Sequence, residues 1–326
     1  MKIANLDLPH GLILAPMAGV TDRAYRSICR KHGAEMTVTE MVSAKALRYG
    51  DENTLSLGSL MPNESNTAVQ LFGHDEADIA FGVRTMTEKR IGYTEPVCID
   101  INMGCPMKKI VNNGDGSALM KDPVNAGRLI RAMRDSTDLP VTVKIRCGWD
   151  SDSINAVLVA KIAEENGADA VCVHGRAREM MYCSEVLLSV IADVKRELTI
   201  PVIGNGGINT KEDALNMISL TGCDGLMLAR GTMGNPWLFE EISAELDGVS
   251  YRLPDIDVRL SEALGQVKDM IRDKGERTGV LEARRQLAYY IKGVNGSAEA
   301  RGRINLASSY DEMVFIIDEF LKKQKK

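Results

Sequence analysis

Eight short apolar runs, many of them β-branched, recur through the first 230 residues, and longer segments with helical periodicity lie between them. The runs fall at residues 12–15, 35–39, 68–71, 97–101, 141–145, 170–173, 201–204 and 225–229. Helical segments are expected at 22–32, 75–90, 122–136, 153–166, 185–197 and 210–221, several of them opened by Asp, Ser or Thr as a cap. A strand separated from the next by a helix pairs with it in parallel through a crossover. Eight such units fill about the length of one α/β domain, and together they predict a closed (β/α)8 TIM barrel.

Beyond the barrel, Asn235-Pro236 and Leu253-Pro254-Asp255 interrupt the chain. Residues 257–275, 279–294 and 309–323 then carry the 3.6-residue apolar period of amphipathic helices, as in Val258, Leu260, Leu264, Val267 and Ile271. The expected organisation is a barrel over residues 1–245 followed by a small all-α helical bundle over 246–326.

A TIM barrel places its chemistry at the C-terminal ends of its strands, so the residues there are the candidates. They are Pro16 and Met17, Glu40, Gln70, Asn102 and Cys105, Lys144 and Arg146, His174 and Arg176, Asn205, and Arg230. Cys105 leaves its strand in Asp100-Ile101-Asn102-Met103-Gly104-Cys105-Pro106, where Gly104 and Pro106 set the backbone and leave the thiol an open side. Strands seven and eight run into Gly204-Asn205-Gly206-Gly207 and Ala229-Arg230-Gly231. These are the positions at which barrels commonly bind a phosphate through close backbone N–H groups, with Arg230 to supply charge.

Lys144 lies inside an apolar strand, pointing either into the helix layer or into the barrel mouth, and burial of its charge demands an anion or a cofactor. A salt bridge to Glu40 would satisfy it. A flavin satisfies it better, because a cation near N1 and O2 stabilises the reduced ring. Gln70 offers amide donors and acceptors to a heteroaromatic ring, Pro16-Met17-Ala18-Gly19 a soft apolar surface, and His174 a strand-end contact. Together these suit FMN.

Charge and cysteine content narrow the partners. The net charge is −5, but residues 246–326 hold 15 Lys and Arg against 13 Asp and Glu, net +2, which leaves −7 for residues 1–245. Arg284, Arg285, Lys292, Arg301 and Arg303 cluster within residues 284–303 against Glu299 alone. On charge alone the cluster fits a solvated helical face. Seven scattered cysteines without a Cys-x-x-Cys pair argue for reduced thiols and no metal; Cys29 and His32 read as two positions on one helix. No run reaches the roughly 18 apolar residues of a membrane span, and the N-terminus lacks a signal sequence, so a cytoplasmic protein without a membrane partner is expected.

Nine ordered blocks resemble one family, the flavin-dependent tRNA-dihydrouridine synthases. They are APMAGVTD (15–22), VTEM (38–41), VQLFG (69–73), DINMGCP with KK (100–109), GSALM (116–120), VKIRCGW (143–149), VHGR (173–176), PVIGNGGI (201–208) and ARGTMGNPW (229–237). Past the barrel the resemblance thins to Ala283-Arg284-Arg285 and Ala288-Tyr289-Tyr290-Ile291-Lys292, similar to the family's helical tRNA-binding domain.

The resemblance implies that FMN, reduced by NADPH, delivers hydride to C6 of a uridine in tRNA while Cys105 protonates C5 from the opposite face. Such a cysteine must be a thiol and not a thiolate. It further implies FMN contacts at Pro16, Met17, Ala18, Gln70, Lys144, His174, Asn205, Gly206, Gly207, Ala229 and Arg230. Asn102 and Arg176 would lie near the uracil, and Arg284 and Arg285 on the RNA. The uridine must leave its stack to reach the mouth, which turns the basic cluster from a solvated face into a contact face. A monomer acting without DNA is expected.

One departure follows Arg176, where the family usually reads towards Tyr-x-Gly and this chain has Tyr182-Cys183-Ser184-Glu185-Val186. Two rival readings remain at this level. An FMN barrel acting on a free small molecule, such as a dihydroorotate dehydrogenase-like or ene-reductase-like enzyme, explains Lys144 but not the basic appendage. An RNA-binding protein with a vestigial flavin site does not explain the intact Cys105, Lys144 and His174. The same chemistry on ribosomal RNA is a further alternative.

Overall fold

The computed structural model describes residues 1–62, 64–89, 93–181, 183 and 185–324. Eight parallel strands close into a barrel: β1 (Leu12–Leu14), β2 (Met36–Val38), β3 (Thr67–Phe72), β4 (Cys98–Met103), β5 (Val141–Arg146), β6 (Ala170–His174), β7 (Val202–Asn205) and β8 (Gly225–Leu228). Each pairs with its sequence neighbour, β8 pairs with β1, and every barrel ladder is parallel. All eight coincide with the predicted apolar runs.

Side-chain alternation builds two cores from the same strands. Val141, Val143 and Ile145 of β5 join the large cluster between barrel and helices, as do Val171 and Val173 of β6. The intervening positions face inward, where Ile13, Met36, Val38, Ala68, Cys98, Ala170, Cys172, Ile203 and Met227 fill the lower barrel. A two-stranded hairpin, Lys2–Ile3 with Leu6–Asp7, places Ile3 and Leu8 in that inner cluster at the N-terminal end. Two-residue strands are too short to show a period, which is why the sequence reading lacks them.

Six helices follow the strands as expected, α1 (Arg23–Lys31), α2 (Glu76–Thr87), α3 (Pro123–Arg134), α4 (Ala156–Glu165), α5 (Leu188–Glu197) and α6 (Lys211–Thr221), and a further one, α7 (Leu238–Leu246), which the sequence reading lacks, follows β8. Asp22 accepts from the Tyr25 N–H at the start of α1, Asp122 caps α3 with Pro123 behind it, and Thr210 and Asp213 form a capping box on α6. After β2 the chain departs from a single helix. It adds Val42–Ser43 to the edge of β3 and then makes two short helices, Ala44–Arg48 and Glu52–Gly58, broken at Gly50 and Asp51.

Past α7, residues 247–255 lead into α8 (Ile256–Lys274), α9 (Glu276–Tyr290), α10 (Ser297–Ile304) and α11 (Tyr310–Gln324). The third of these, α10, escapes the sequence reading because Gly302 and two arginines dilute its apolar face to Ala300 and Ile304. The turn between α8 and α9 is tight: a Cβ on Gly279 would stand 2.7 Å from the Ile271 Cα, so only glycine admits this crossing.

The bundle packs on α1 and on the loop that follows β1. Lys274 donates to Asp22 at 2.6 Å, Arg23 pairs with Asp273, and the Gln286 amide donates to the Val20 carbonyl at 3.4 Å. His32 bridges Glu240 of α7 (2.9 Å) and Glu262 of α8 (2.6 Å), while Cys29 lies buried in the core. Trp237 packs edge-on against Tyr290, and one hydrophobic cluster runs from the barrel helices into the bundle. This docking fixes the bundle beside the mouth, on the β8–β1 side.

Candidate active site

The C-terminal ends of the strands enclose a cavity of about 460 Å³. Loop residues Pro16, Met17 and Ala18, the strand-end side chains of Gln70, Asn102, Lys144, His174 and Asn205, and Cys105 all line it. So do Arg176, Gly206, Gly207, Ala229 and Arg230, and Arg285 of α9 reaches it from the bundle. Arg284 does not. Its Nε donates to the Ala307 carbonyl at 2.8 Å, inside the bundle. Adjacent helical residues point about 100° apart, so the two arginines part company.

Cys105 is held by its backbone. Its N–H donates to Asn102 Oδ1 at 2.8 Å, and its carbonyl accepts from the Ser117 N–H (3.1 Å) and hydroxyl (2.9 Å). Gly116, at φ +60°, lies against that carbonyl; a Cβ there would stand 2.9 Å from it. Arg146, almost wholly buried, grips the next residue back through a 2.7 Å bond from Nε to the Gly104 carbonyl. Burial pushes the Cys105 thiol above the ordinary thiol range, against the opposing pull of the Met107 N–H and the charges of Arg146 and Lys144. The thiol is therefore protonated at neutral pH and faces the cavity.

Lys144 points into the mouth. Inward alternation on β5 decides between its two possible directions, and Nζ donates to Asn205 Oδ1 at 2.8 Å. Asn205 in turn donates through Nδ2 to the Met227 carbonyl at 2.7 Å. Burial lowers the pKa of Lys144; Cys172, Asp100 and Cys105 act the other way. Glu40 is not its partner, for that carboxylate accepts the Gly19 N–H. Half-buried and hydrogen-bonded to a neutral amide, this cation could hold an electron-rich ring.

His174 stands among cations. Burial first, then Lys144, Arg146, Arg176 and Arg230, hold its pKa well below the usual histidine value, so it is a neutral imidazole. Its ring leaves no room for a side chain on the next turn. A Cβ on Gly206, at φ +109°, would stand 2.5 Å from the His174 ring. Gly207, at φ +76°, packs on Val186, and a Cβ on Gly231 would stand 2.3 Å from the Ile208 carbonyl, so the two glycine turns abut. Their backbone and Arg230 form one wall of the cavity. Of the atypical loop, Tyr182 and Ser184 lie outside the described residues; Cys183 is exposed and Val186 packs against Gly175 and Gly207.

Sequence reasoning missed the supports beneath these groups. Asp100 and Thr142 lie one layer below the mouth, bonded to each other at 2.6 Å, and Asp100 accepts from Gln70 Nε2 at 2.7 Å. Their place on inward positions, two residues before Asn102 and Lys144, was the available signal.

A family model described as dihydrouridine synthase matches residues 13–325. The chain is 37% identical to tRNA-dihydrouridine synthase B of Pseudomonas aeruginosa over 329 residues, covering 99% of this chain and 96% of that one. It is also 37% identical to tRNA-dihydrouridine synthase B of Vibrio parahaemolyticus, covering 94% of each. Among solved structures, the complex of a 2-naphthoyl-CoA reductase with 2-naphthoyl-CoA superposes with a TM-score of 0.57 at 10% identity. That match covers 76% of this chain and 52% of the other, a likeness of fold. With the barrel closed, the cavity at its mouth and the match spanning barrel and bundle alike, this chain belongs to the dihydrouridine synthase family, whose members are flavin-dependent oxidoreductases.

Proposed function

We propose that this chain reduces the C5–C6 bond of a uridine in tRNA to 5,6-dihydrouridine, with FMN as its flavin and NADPH as reductant. The observation that carries the reading is the placement of a protonated thiol, Cys105, in the same cavity as a half-buried lysine and two abutting glycine turns. The residues fit the flavin. The glycine turns with Arg230 would take its phosphate, Lys144 and Gln70 its ring edge, and Pro16 to Ala18 an apolar face. Bound there, a flavin would supply hydride to the uracil ring.

The chain supplies the proton and the geometry. As charge develops towards C5 and O4 of the uracil, the Cys105 S–H donates its proton to C5; a thiol held protonated by burial is the right acid for that step. Asn102 and Arg176 border the space left for the base. A base paired in a folded RNA cannot reach a mouth this deep, so the uridine is turned out of its stack. Residues 246–326 form the RNA-holding domain and residues 1–245 the catalytic one, and Arg285 stands where the two meet.

A cytoplasmic monomer is part of the same reading; among the described residues no helix is long and apolar enough to cross a membrane. Mass-spectrometric mapping of dihydrouridine in RNA from cells with and without the gene tests it. Loss of the modification at a tRNA position supports the reading. Unchanged tRNA with loss in ribosomal RNA would move the substrate, and no loss in either would refute it.

A further inference from the structure

Asp100 does not itself line the cavity, yet it stands at the start of an unbroken chain of hydrogen bonds that ends on Cys105. Its Oδ2 accepts from Gln70 Nε2 at 2.7 Å; Gln70 Oε1 accepts from Asn102 Nδ2 at 2.8 Å. Asn102 Oδ1 accepts from the backbone N–H groups of Gly104 (3.1 Å) and Cys105 (2.8 Å). The other oxygen of Asp100 accepts from Thr142 at 2.6 Å.

The direction of this chain is forced from both ends. A backbone N–H only donates, so Asn102 must turn its oxygen to the loop and its NH₂ to Gln70. A carboxylate only accepts, so Gln70 must turn its NH₂ to Asp100 and its oxygen to Asn102. Two amides, each able to flip, are locked in one orientation because an obligate acceptor sits at one end and obligate donors at the other. The strand register makes this possible. Gln70 pairs with Asp100 across β3 and β4, and Asp100 with Thr142 across β4 and β5, which puts all three in one inward layer.

We propose that Asp100 is a positioning residue that acts through Gln70 and Asn102 to hold the Cys105 loop, and so sets the seat of the thiol. The proposal rests on Cys105 being the proton donor for its catalytic meaning, but not for its test. Burying a carboxylate is costly, and this one is pushed up to about 6 by burial even with Lys144 nearby. Without it the loop N–H groups would still orient Asn102, but Gln70 Nε2 would lose its acceptor and the chain its anchor in the inward layer.

The test uses the flavin-loaded full chain and the rate at which iodoacetamide alkylates Cys105, followed by mass spectrometry of its peptide. Cys183, exposed, and Cys98, Cys147 and Cys172, buried, serve as internal references. Asp100→Leu and Gln70→Leu each break the chain, and in each the freed loop should expose the thiol and speed Cys105 alkylation by about threefold or more. Asp100→Asn should stay within about twofold of wild type: its oxygen still accepts from Gln70, while its NH₂ donates to Thr142, whose hydroxyl can accept.

Unchanged alkylation in both leucine variants would overturn the proposal, as would an asparagine variant that behaves like them. If Asp100→Leu does not fold, Gln70→Leu against Asp100→Asn decides the question alone. Because the readout is a thiol reaction with a small reagent, it stands whether or not the reaction assigned to the site is correct.

Discussion

The mouth of the barrel and the bundle beside it hold charge in opposite ways. In the mouth the Arg146 guanidinium is buried and the Lys144 ammonium half-buried, each set by strand register and bonded to a neutral group, the Gly104 carbonyl and the Asn205 amide. In the bundle the charges lie near the surface and pair with one another: Lys274 with Glu282, Arg303 with Glu319, Lys323 with Glu299. Exposed pairs contribute little to stability and are readily exchanged for a polyanion, whereas a buried, neutrally solvated cation has nowhere to go without a ligand. Chemistry therefore belongs to the first region and adjustable grip to the second.

That contrast orders the expected effects. Cys105→Ala should leave the flavin in place and lower single-turnover dihydrouridine formation by about 10²- to 10⁴-fold, the usual worth of a placed general acid. Next comes Lys144→Met, which removes the cation proposed to face the flavin; flavin reduction should slow by roughly 10²-fold, read by stopped-flow absorbance. A mouth variant with a merely additive, salt-sensitive effect would break the comparison from this side.

Variants of the bundle should act on binding alone. Arg285→Glu should raise the Kd for tRNA about tenfold and reduce the salt slope of log Kd by about one, with flavin content unchanged. Arg284→Gln is the smallest effect. Its Nε bond to the Ala307 carbonyl is internal, so its loss should cost about 1 kcal/mol of stability in thermal unfolding and leave tRNA affinity within about twofold. Equal losses of affinity at both arginines would merge the pair again.

The two neighbours also show how far the sequence can be read. Alternating strands and helices with hard punctuation made the eight barrel strands legible almost to the residue, since each β-branched run is bounded by polar or glycine positions. The hairpin at Lys2–Asp7 and helix α10 were not legible, the first too short for a period and the second diluted by Gly302 and arginine. Within the site, the strand-end rule brought out the groups that line the cavity. It could not say which way Lys144 points, because a strand buried on both faces shows alternation without showing which face is inner. Nor could it separate Arg284 from Arg285, whose difference comes from helix phase, one turned to the Ala307 carbonyl and the other to the barrel mouth. Asp100 and Thr142 went unread because their role is to hold other side chains, and that role exists only once three strands stand side by side.

The central claim is that the mouth holds a thiol and not a thiolate. The pH dependence of Cys105 alkylation in the flavin-loaded protein tests it most directly, because the rate follows the thiolate fraction. A midpoint displaced above the ordinary thiol range, the direction in which burial drives this group, is the expected result. A midpoint below neutral pH would make Cys105 a thiolate nucleophile and contradict its proposed role as the acid of the reaction.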